Sequence, residues 1–337
     1  LNYVADKFEL RKDIQFESKV LSATYRPRSL DWTVETENGD IVTARFLLFA
    51  TGILSAPYVP EIPASDSYQG QSWHTSLWPK ERVDLSTKRV GIIGTGATAV
   101  QMITEIAKDV GQMTVFQRTP NYCGPLRNSE ITSEEQKIIK ASYSDIFEKC
   151  NSTFGGFLHD FDNRSIFDVG EVERESFFEE KWREKGFAFW LGNFSDILTN
   201  RAANDIVSEF ARKKIRERVE DPQVAELLAP KCHGFGTKRQ PMESGYYEVY
   251  NQGNVRLVDL NKTPIKSFSE SGIKTSDEEY DFDIVIYATG FDAVTGALNR
   301  IDIKGESGIT LKQKWESGPR TYLGTVSYTH LTLPTKA

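Results

Sequence analysis

Lys88-Arg89-Val90-Gly91-Ile92-Ile93-Gly94-Thr95-Gly96-Ala97-Thr98-Ala99 is the stretch whose reading decides the fold. Its first half is a short apolar run that reads as a buried strand. Its second half has the pattern Gly94-x-Gly96-x-x-Ala99, and the apolar residues that follow, through Ile106, have helical spacing. In a strand-turn-helix of this kind the first glycine permits the tight turn and the second lets backbone approach a pyrophosphate. The small third residue allows close helix packing. The amides at the helix N-terminus then face the phosphates. Thr114 to Gln117 reads as the next strand, so the unit is βαβ and the class is α/β with a parallel sheet.

About twenty residues beyond such a turn, NAD-binding chains usually carry an acid for the ribose 2′-hydroxyl. Here Gln117, Arg118 and Thr119 stand at that place. A carboxylate would repel a 2′-phosphate, whereas a guanidinium holds it with charge-assisted hydrogen bonds. The expected nucleotide is therefore NADP(H).

Outward from this unit, Lys19 to Thr24, Trp32 to Thr36 and Ile41 to Phe49 are rich in β-branched and aromatic residues. Asn38-Gly39 between the last two runs supplies a tight hairpin turn. The third run reads as an apolar strand stopping at Ala50-Thr51-Gly52, and a later strand, Phe282 to Tyr287, stops at Ala288-Thr289-Gly290. Small residues at the end of a parallel strand let a dinucleotide pass. Two such endings on either side of the Gly94 unit resemble flavoproteins in which an NADP domain is inserted into an FAD domain. From about Ser129 to Pro230 charged segments have helical spacing; Ile206, Val207, Phe210, Ala211 and Ile215, for example, share one face. The organisation expected is residues 1–55 as part of an FAD domain, 56–85 as a linker, and 86–125 with 235–280 as the NADP domain. Residues 126–234 form a helical insertion, and 281–327 return to the FAD domain.

The 337 residues carry 41 basic and 48 acidic side chains, a net charge of −7, which argues against nucleic acid or an anionic membrane as partner. No apolar run of about 18 residues, enough to span a bilayer, is present. Cys123, Cys150 and Cys232 are far apart, which suggests neither a metal site nor a disulfide framework and fits a reducing cytoplasm. Leu1, Val4, Ala5 and Phe8 already have helical spacing at the first residue, as if the helix began earlier, and Tyr328 to Ala337 resembles translated adaptor sequence. Both ends are therefore expected to be truncated or non-native.

In the linker, Tyr68-Gln69-Gly70-Gln71-Ser72-Trp73-His74-Thr75-Ser76-Leu77-Trp78-Pro79 resembles the fingerprint of Baeyer-Villiger monooxygenases, aromatic-x-Gly-x-x-x-His-x-x-x-Trp-Pro. Tyr68 stands where the family usually has Phe. The resemblance extends to Phe116-Gln117-Arg118-Thr119-Pro120-Asn121-Tyr122, to Gly236-Thr237-Lys238-Arg239-Gln240-Pro241 and to Ala288-Thr289-Gly290-Phe291-Asp292-Ala293. It implies an FAD- and NADPH-dependent enzyme that uses O2 to convert a small-molecule ketone into an ester or lactone. Arg239 would be the catalytic cation, a group that stays protonated while it stabilises negative charge on oxygen. Lys238, Arg118 and Thr119 would bind the 2′-phosphate, and Gln101 would join the residues of the Gly94 turn in holding the nucleotide. Tyr68, Gly70, His74, Trp78 and Pro79 would couple the domains rather than perform bond chemistry. Two other readings stay open: N- or S-oxygenation by a related flavin enzyme, and a non-catalytic NADP-binding module. A flavin disulfide reductase would need a close cysteine pair, which the sequence lacks.

Overall fold

A computed structural model describes residues 1–320, so the tail expected to be non-native, 328–337, and the end of the last segment lie outside the described residues. The chain divides into two compact units, one formed by the residues up to Tyr58 together with those from Phe291 onward, the other running from Val59 to Gly290.

The first unit is built on a four-stranded sheet. Val20–Arg26 pairs antiparallel with Asp31–Thr36, which pairs antiparallel with Ile41–Ala44. On its other side Val20–Arg26 pairs in parallel with Asp302–Lys304. Alternation fixes the buried face: Ala23 and Tyr25 from one strand and Trp32 and Val34 from the next point inward against Leu298, Ile303, Leu311 and Trp315. The Asn38-Gly39 turn forms as its residues demand, with Gly39 at φ +83° and donating to the Thr36 carbonyl. The helix Asn2–Lys7 buries no residue.

One part of this unit departs from the sequence reading. The strand ends at Ala44, and 46–50 is not a strand in the described structure. A strand needs a neighbour to take its backbone groups. Even so, Leu47 and Phe49 pack on the core while Phe46 and Leu48 are exposed, which is the alternation of an extended chain.

The second unit is an α/β layer around a five-stranded sheet in the order Gln71–His74, Ile284–Tyr287, Arg89–Ile93, Gln112–Gln117, Val255–Asp259. All four pairings are parallel. The helix Ala97–Ile106 buries Ala99, Val100 and Ile103 against Val90, Ile92, Met113 and Val115. Each fully buried Val, Ile or Met side chain there contributes roughly 1.5–3 kcal/mol. A small antiparallel sheet, Ile265–Phe268, Gly272–Thr275 and Glu279–Asp281, covers the sheet's other side through Phe268, Ile273 and Phe282.

Two expected boundaries are corrected here. Ile284–Tyr287 does not return to the first unit; it lies in this sheet between Gln71–His74 and Arg89–Ile93, with all four of its residues buried. A run buried on both faces belongs inside a parallel sheet. Likewise the linker 56–85 supplies the edge strand of that sheet, Gln71–His74.

The segment 126–234 is helical, with Ser133–Ala141, Tyr143–Ser152, Glu171–Arg183, Arg201–Arg216 and Pro222–Leu228 as its main helices. Phe178, Trp182, Phe189, Phe194 and Phe210 form an aromatic core within it, joined by Phe235 just beyond its end. The long helix Arg201–Arg216 presents Ala203, Val207, Phe210, Ala211 and Ile215 inward, and Asn200 caps it by accepting from the amides of Ala202 and Ala203.

Candidate functional site

The centre of the site is the turn between Arg89–Ile93 and Ala97–Ile106. Gly94 adopts φ +107° and donates its amide to the Phe116 carbonyl at 2.9 Å, which ties the turn to the neighbouring strand. Gly96 caps the helix without any side-chain hydrogen bond, and the space over its Cα is open. Bare amides at a helix N-terminus facing open space fit a pyrophosphate. Ala99 is fully buried, so the third position of the pattern serves packing. Thr95 is buried and donates from its hydroxyl to the Thr119 carbonyl at 3.1 Å; Ala97 is half-buried, and Thr98 and Gln101 are exposed on the helix surface.

Arg118 follows the strand Gln112–Gln117 and is exposed, and its carbonyl accepts from the Asn261 side chain. Lys238 and Arg239 are also exposed, on the loop that passes from Gly236, at φ +73°, to the two-residue strand Met242–Glu243. Among the described residues no carboxylate pairs with Arg118, Lys238 or Arg239, although most other basic residues of the unit have acidic partners. Cations left without internal partners are available to an external anion.

The Arg239 loop and the segment after Arg118 are laced together. The Asn121 side chain donates to the Arg239 carbonyl at 3.1 Å, the Gly124 amide to Pro241 at 2.9 Å and the Leu126 amide to Glu243 at 2.8 Å. His233 stands over this junction with Nε2 3.4 Å from Asn121 Oδ1. Burial, and then the charge of Lys238, hold the His233 imidazole below the usual histidine range, which places Lys238 near the same junction. The lacing was missed in the sequence: Asn121 and Arg239 are 118 positions apart, and no local pattern signals the bond.

Behind the loop, Glu243 is almost wholly buried and accepts from both guanidinium nitrogens of Arg218 and from the amides of Gly245 and Tyr246. Its lone pairs are thereby filled, which is the condition under which a buried carboxylate is tolerated. Cys123 lies in the same wall, where burial pushes its thiol up from the ordinary range.

The fingerprint residues have structural environments. The Tyr68 hydroxyl donates to the Phe282 carbonyl at 3.0 Å and its ring packs on Phe268. Burial, and then the charge of Asp283, push Tyr68 up to about 12. A side chain on Gly70 would fall on the Tyr68 ring and against the Asp283 carbonyl, which is why glycine is required there. His74 ends the edge strand, is 2% exposed, and meets Ser76 through Nδ1. Trp78 stacks edge-on against Trp73 at 5.5 Å, and Pro79 follows it.

Of the two Ala-Thr-Gly endings, Ala288-Thr289-Gly290 lies beside the Gly94 turn: the Ala288 amide donates to Ile93, and Gly290 takes φ +79°. Ala50-Thr51-Gly52 belongs to the other unit, where Gly52 takes φ +72°. Among the described residues the Thr51 hydroxyl there is shielded from solvent with no hydrogen-bond partner. That hydroxyl is thereby left free to bond a ligand, and these residues fit the edge of a second nucleotide.

A surface hollow lined by Glu171, Glu175, Glu179 and Lys213 belongs to the helical insertion and shares no residue with this site. Among the described residues no cluster of metal-ligating side chains occurs, and no helix is long and apolar enough to cross a membrane.

Residues 1–165 match the family model described as pyridine nucleotide-disulphide oxidoreductase. The chain is 47% identical over 330 residues to 2-oxo-Delta(3)-4,5,5-trimethylcyclopentenylacetyl-CoA monooxygenase of Pseudomonas putida, covering 96% of this chain and 61% of that protein. It is 42% identical over 325 residues to cyclopentanone 1,2-monooxygenase of a Comamonas species, covering 96% and 59%. The solved structure of OTEMO in complex with FAD and NADP superposes with a TM-score of 0.93 at 47% identity, covering 96% of this chain and 61% of that one. The chain thus spans about 60% of the length of the curated relatives it matches.

Proposed function

The chain belongs to the Baeyer-Villiger family of flavin-dependent monooxygenases, and on that premise we propose that the protein uses NADPH, FAD and O2 to insert one oxygen atom beside a ketone carbonyl, giving an ester or lactone. The observation that carries this reading is the group of three cations without acidic partners, Arg118, Lys238 and Arg239, on two segments laced together beside a bare glycine turn. Bound FAD would supply the oxygen-activating chemistry, with NADPH as its reductant.

The residues of this chain divide the remaining work. Gly94, Thr95, Gly96, Ala97, Thr98 and Ala99 form the turn and helix start that receive the NADP pyrophosphate, with Gln101 on the helix beyond. Arg118, Thr119 and Lys238 hold the 2′-phosphate by charge-assisted bonds. Ala288-Thr289-Gly290 lets the nucleotide pass the strand end, and Ala50-Thr51-Gly52 borders the flavin nucleotide through the Thr51 hydroxyl. Arg239 presents a permanent positive charge to the oxygen that becomes anionic as the carbonyl is attacked, and it does so without giving up its own proton. The fingerprint residues Tyr68, Gly70, His74, Trp78 and Pro79 brace the connection into the sheet.

The test uses the holoenzyme. In Arg239→Ala, NADPH should still reduce the flavin under anaerobic conditions, while ester formation from a cyclic ketone disappears, because hydride transfer needs no support for a developing oxyanion. Ester formation at the unaltered rate would remove Arg239 from the mechanism. A holoenzyme that oxygenates a thioether but no ketone would move the protein to the S-oxygenating branch.

A further inference from the structure

Asn121 has no role in the scheme above, yet among the described residues its side chain is the one that hydrogen-bonds the backbone of Arg239. We propose that Asn121 is a positioning residue for Arg239, fixing the backbone that carries this cation to the segment that reads the 2′-phosphate. The proposal rests on the assignment of Arg239 as the catalytic cation.

The geometry leaves the Asn121 carboxamide one useful orientation. A backbone carbonyl only accepts, so the group facing Arg239 O at 3.1 Å must be the Nδ2 donor. Its Oδ1 then faces His233 Nε2 at 3.4 Å. Burial and Lys238 keep that imidazole neutral near pH 7, and in the tautomer with hydrogen on Nε2 it donates to Asn121, leaving Nδ1 toward Cys232 Sγ at 3.4 Å. Both ends of the carboxamide are therefore matched.

The bond also sits where it has leverage. Thr119, two residues earlier, accepts the Thr95 hydroxyl and so is tied to the glycine turn. Immediately after Arg239 the chain is held again: Gln240 is buried and packs on Gly124, and the Gly124 amide donates to the Pro241 carbonyl. Before Arg239, Gly236 is left-handed and Thr237 turns back onto the Gly234 carbonyl through its amide and hydroxyl, while Lys238 is exposed. Asn121 is thus the tether at the boundary between the held and the exposed parts of the loop. Without it the fixed point retreats to Gln240, and the Arg239 backbone joins the exposed part.

Four measurements on Asn121→Ala and on the near-isosteric Asn121→Leu, which keeps the shape, loses the donor and adds no charge beside the 2′-phosphate cations, test this. With flavin and nucleotide absent, amides 237–239 should exchange hydrogen faster than in the parent, while those of Gly124 and Leu126 keep their protection. In the holoenzyme, NADP+ affinity and anaerobic flavin reduction by NADPH should stay within about twofold, while ester formed per NADPH consumed falls about tenfold, as expected for the loss of one hydrogen bond. In an Arg239→Lys background that keeps a measurable residual ester yield, the Asn121 substitution should lower that yield by less than it does in the parent, the non-additivity of a residue that acts through another. Unchanged ester yield in Asn121→Ala, with Arg239→Ala inactive, overturns the proposal and leaves the function standing. An equal fall in NADP+ affinity and ester yield also overturns it, making Asn121 part of the nucleotide site. Full ester yield in Arg239→Ala would defeat the functional assignment and this proposal together. Should Asn121→Ala fail to fold, Asn121→Leu decides the outcome by the same readings.

Discussion

A methyl group placed on Gly94 would stand 2.5 Å from the carbonyl oxygen of Ala288, and Gly94 itself holds φ at +107°. Two independent constraints, a left-handed backbone and a close approach between neighbouring strand ends, thus fall on one residue. Gly94→Ala should therefore be the most damaging methyl addition in the turn. It must strain the backbone, at about 1–2 kcal/mol, and also push the Ala288 strand end aside. The expected outcome is a lowered melting temperature together with loss of NADP+ binding. Gly96→Ala, with open space over its Cα and φ −76°, should leave the melting temperature unchanged. Parallel melts and nucleotide titrations of the two variants check the contrast.

Arg118→Ala should separate the two nicotinamide nucleotides. If the guanidinium holds the 2′-phosphate, losing a charge-assisted contact weakens NADPH by about 1.5–3 kcal/mol, roughly 10- to 100-fold, and leaves NADH nearly unchanged. Steady-state KM values for both nucleotides in the holoenzyme give the answer. Equal losses would show that Arg118 does not read the phosphate.

Asp283 makes a prediction about acid stability. Its carboxylate accepts from the side chain and the amide of Arg89, and these bonds hold it below the usual carboxylate range. Because the folded value is lowered, the stabilisation is complete above the unfolded value of about 4 and is lost as pH falls through the folded value below it. The pair is partly exposed, so the effect is under about 1 kcal/mol. Asp283→Asn should lower stability slightly at pH 7 and flatten the fall in stability below pH of about 4, as followed by urea titrations across that range.

The parts of this molecule that were legible in the sequence are those encoded by neighbours. The Gly94 turn, the Asn38-Gly39 hairpin and the amphipathic helix Arg201–Arg216 each declare themselves within a few residues. Strand order does not. Ile284–Tyr287 is apolar in any sheet, and only its pairing with Val90–Ile93 and Gln71–His74 shows where it belongs. Gln71–His74 is too short and too polar to register as a strand, and takes its conformation from the strand beside it. In the site, Arg118 was indicated by its spacing from the glycine turn and Lys238 and Arg239 only by the family resemblance, while the ties that lace their two segments together had no signal, since Asn121, Gly124 and Leu126 find partners more than a hundred positions away.

The pairing of Ser22 with Asp302 in the first sheet has a consequence for how the chain acquires its structure. That sheet joins strands from opposite ends of the sequence, whereas everything from Val59 to Gly290 is one uninterrupted segment with its own sheet and core. During synthesis at about 5–20 residues per second, the intervening segment takes roughly ten to fifty seconds to leave the ribosome. It can fold in that interval, while the strand Val20–Arg26 has its hairpin neighbour but not yet its parallel one. Once the segment has folded, the long gap between Ser22 and Asp302 becomes a short effective loop, because the chain leaves at Pro57 and re-enters at Phe291 in a backbone bridge between those two residues. Vectorial synthesis thus gives the segment from Val59 to Gly290 time to fold before the parallel partner of Val20–Arg26 has been made.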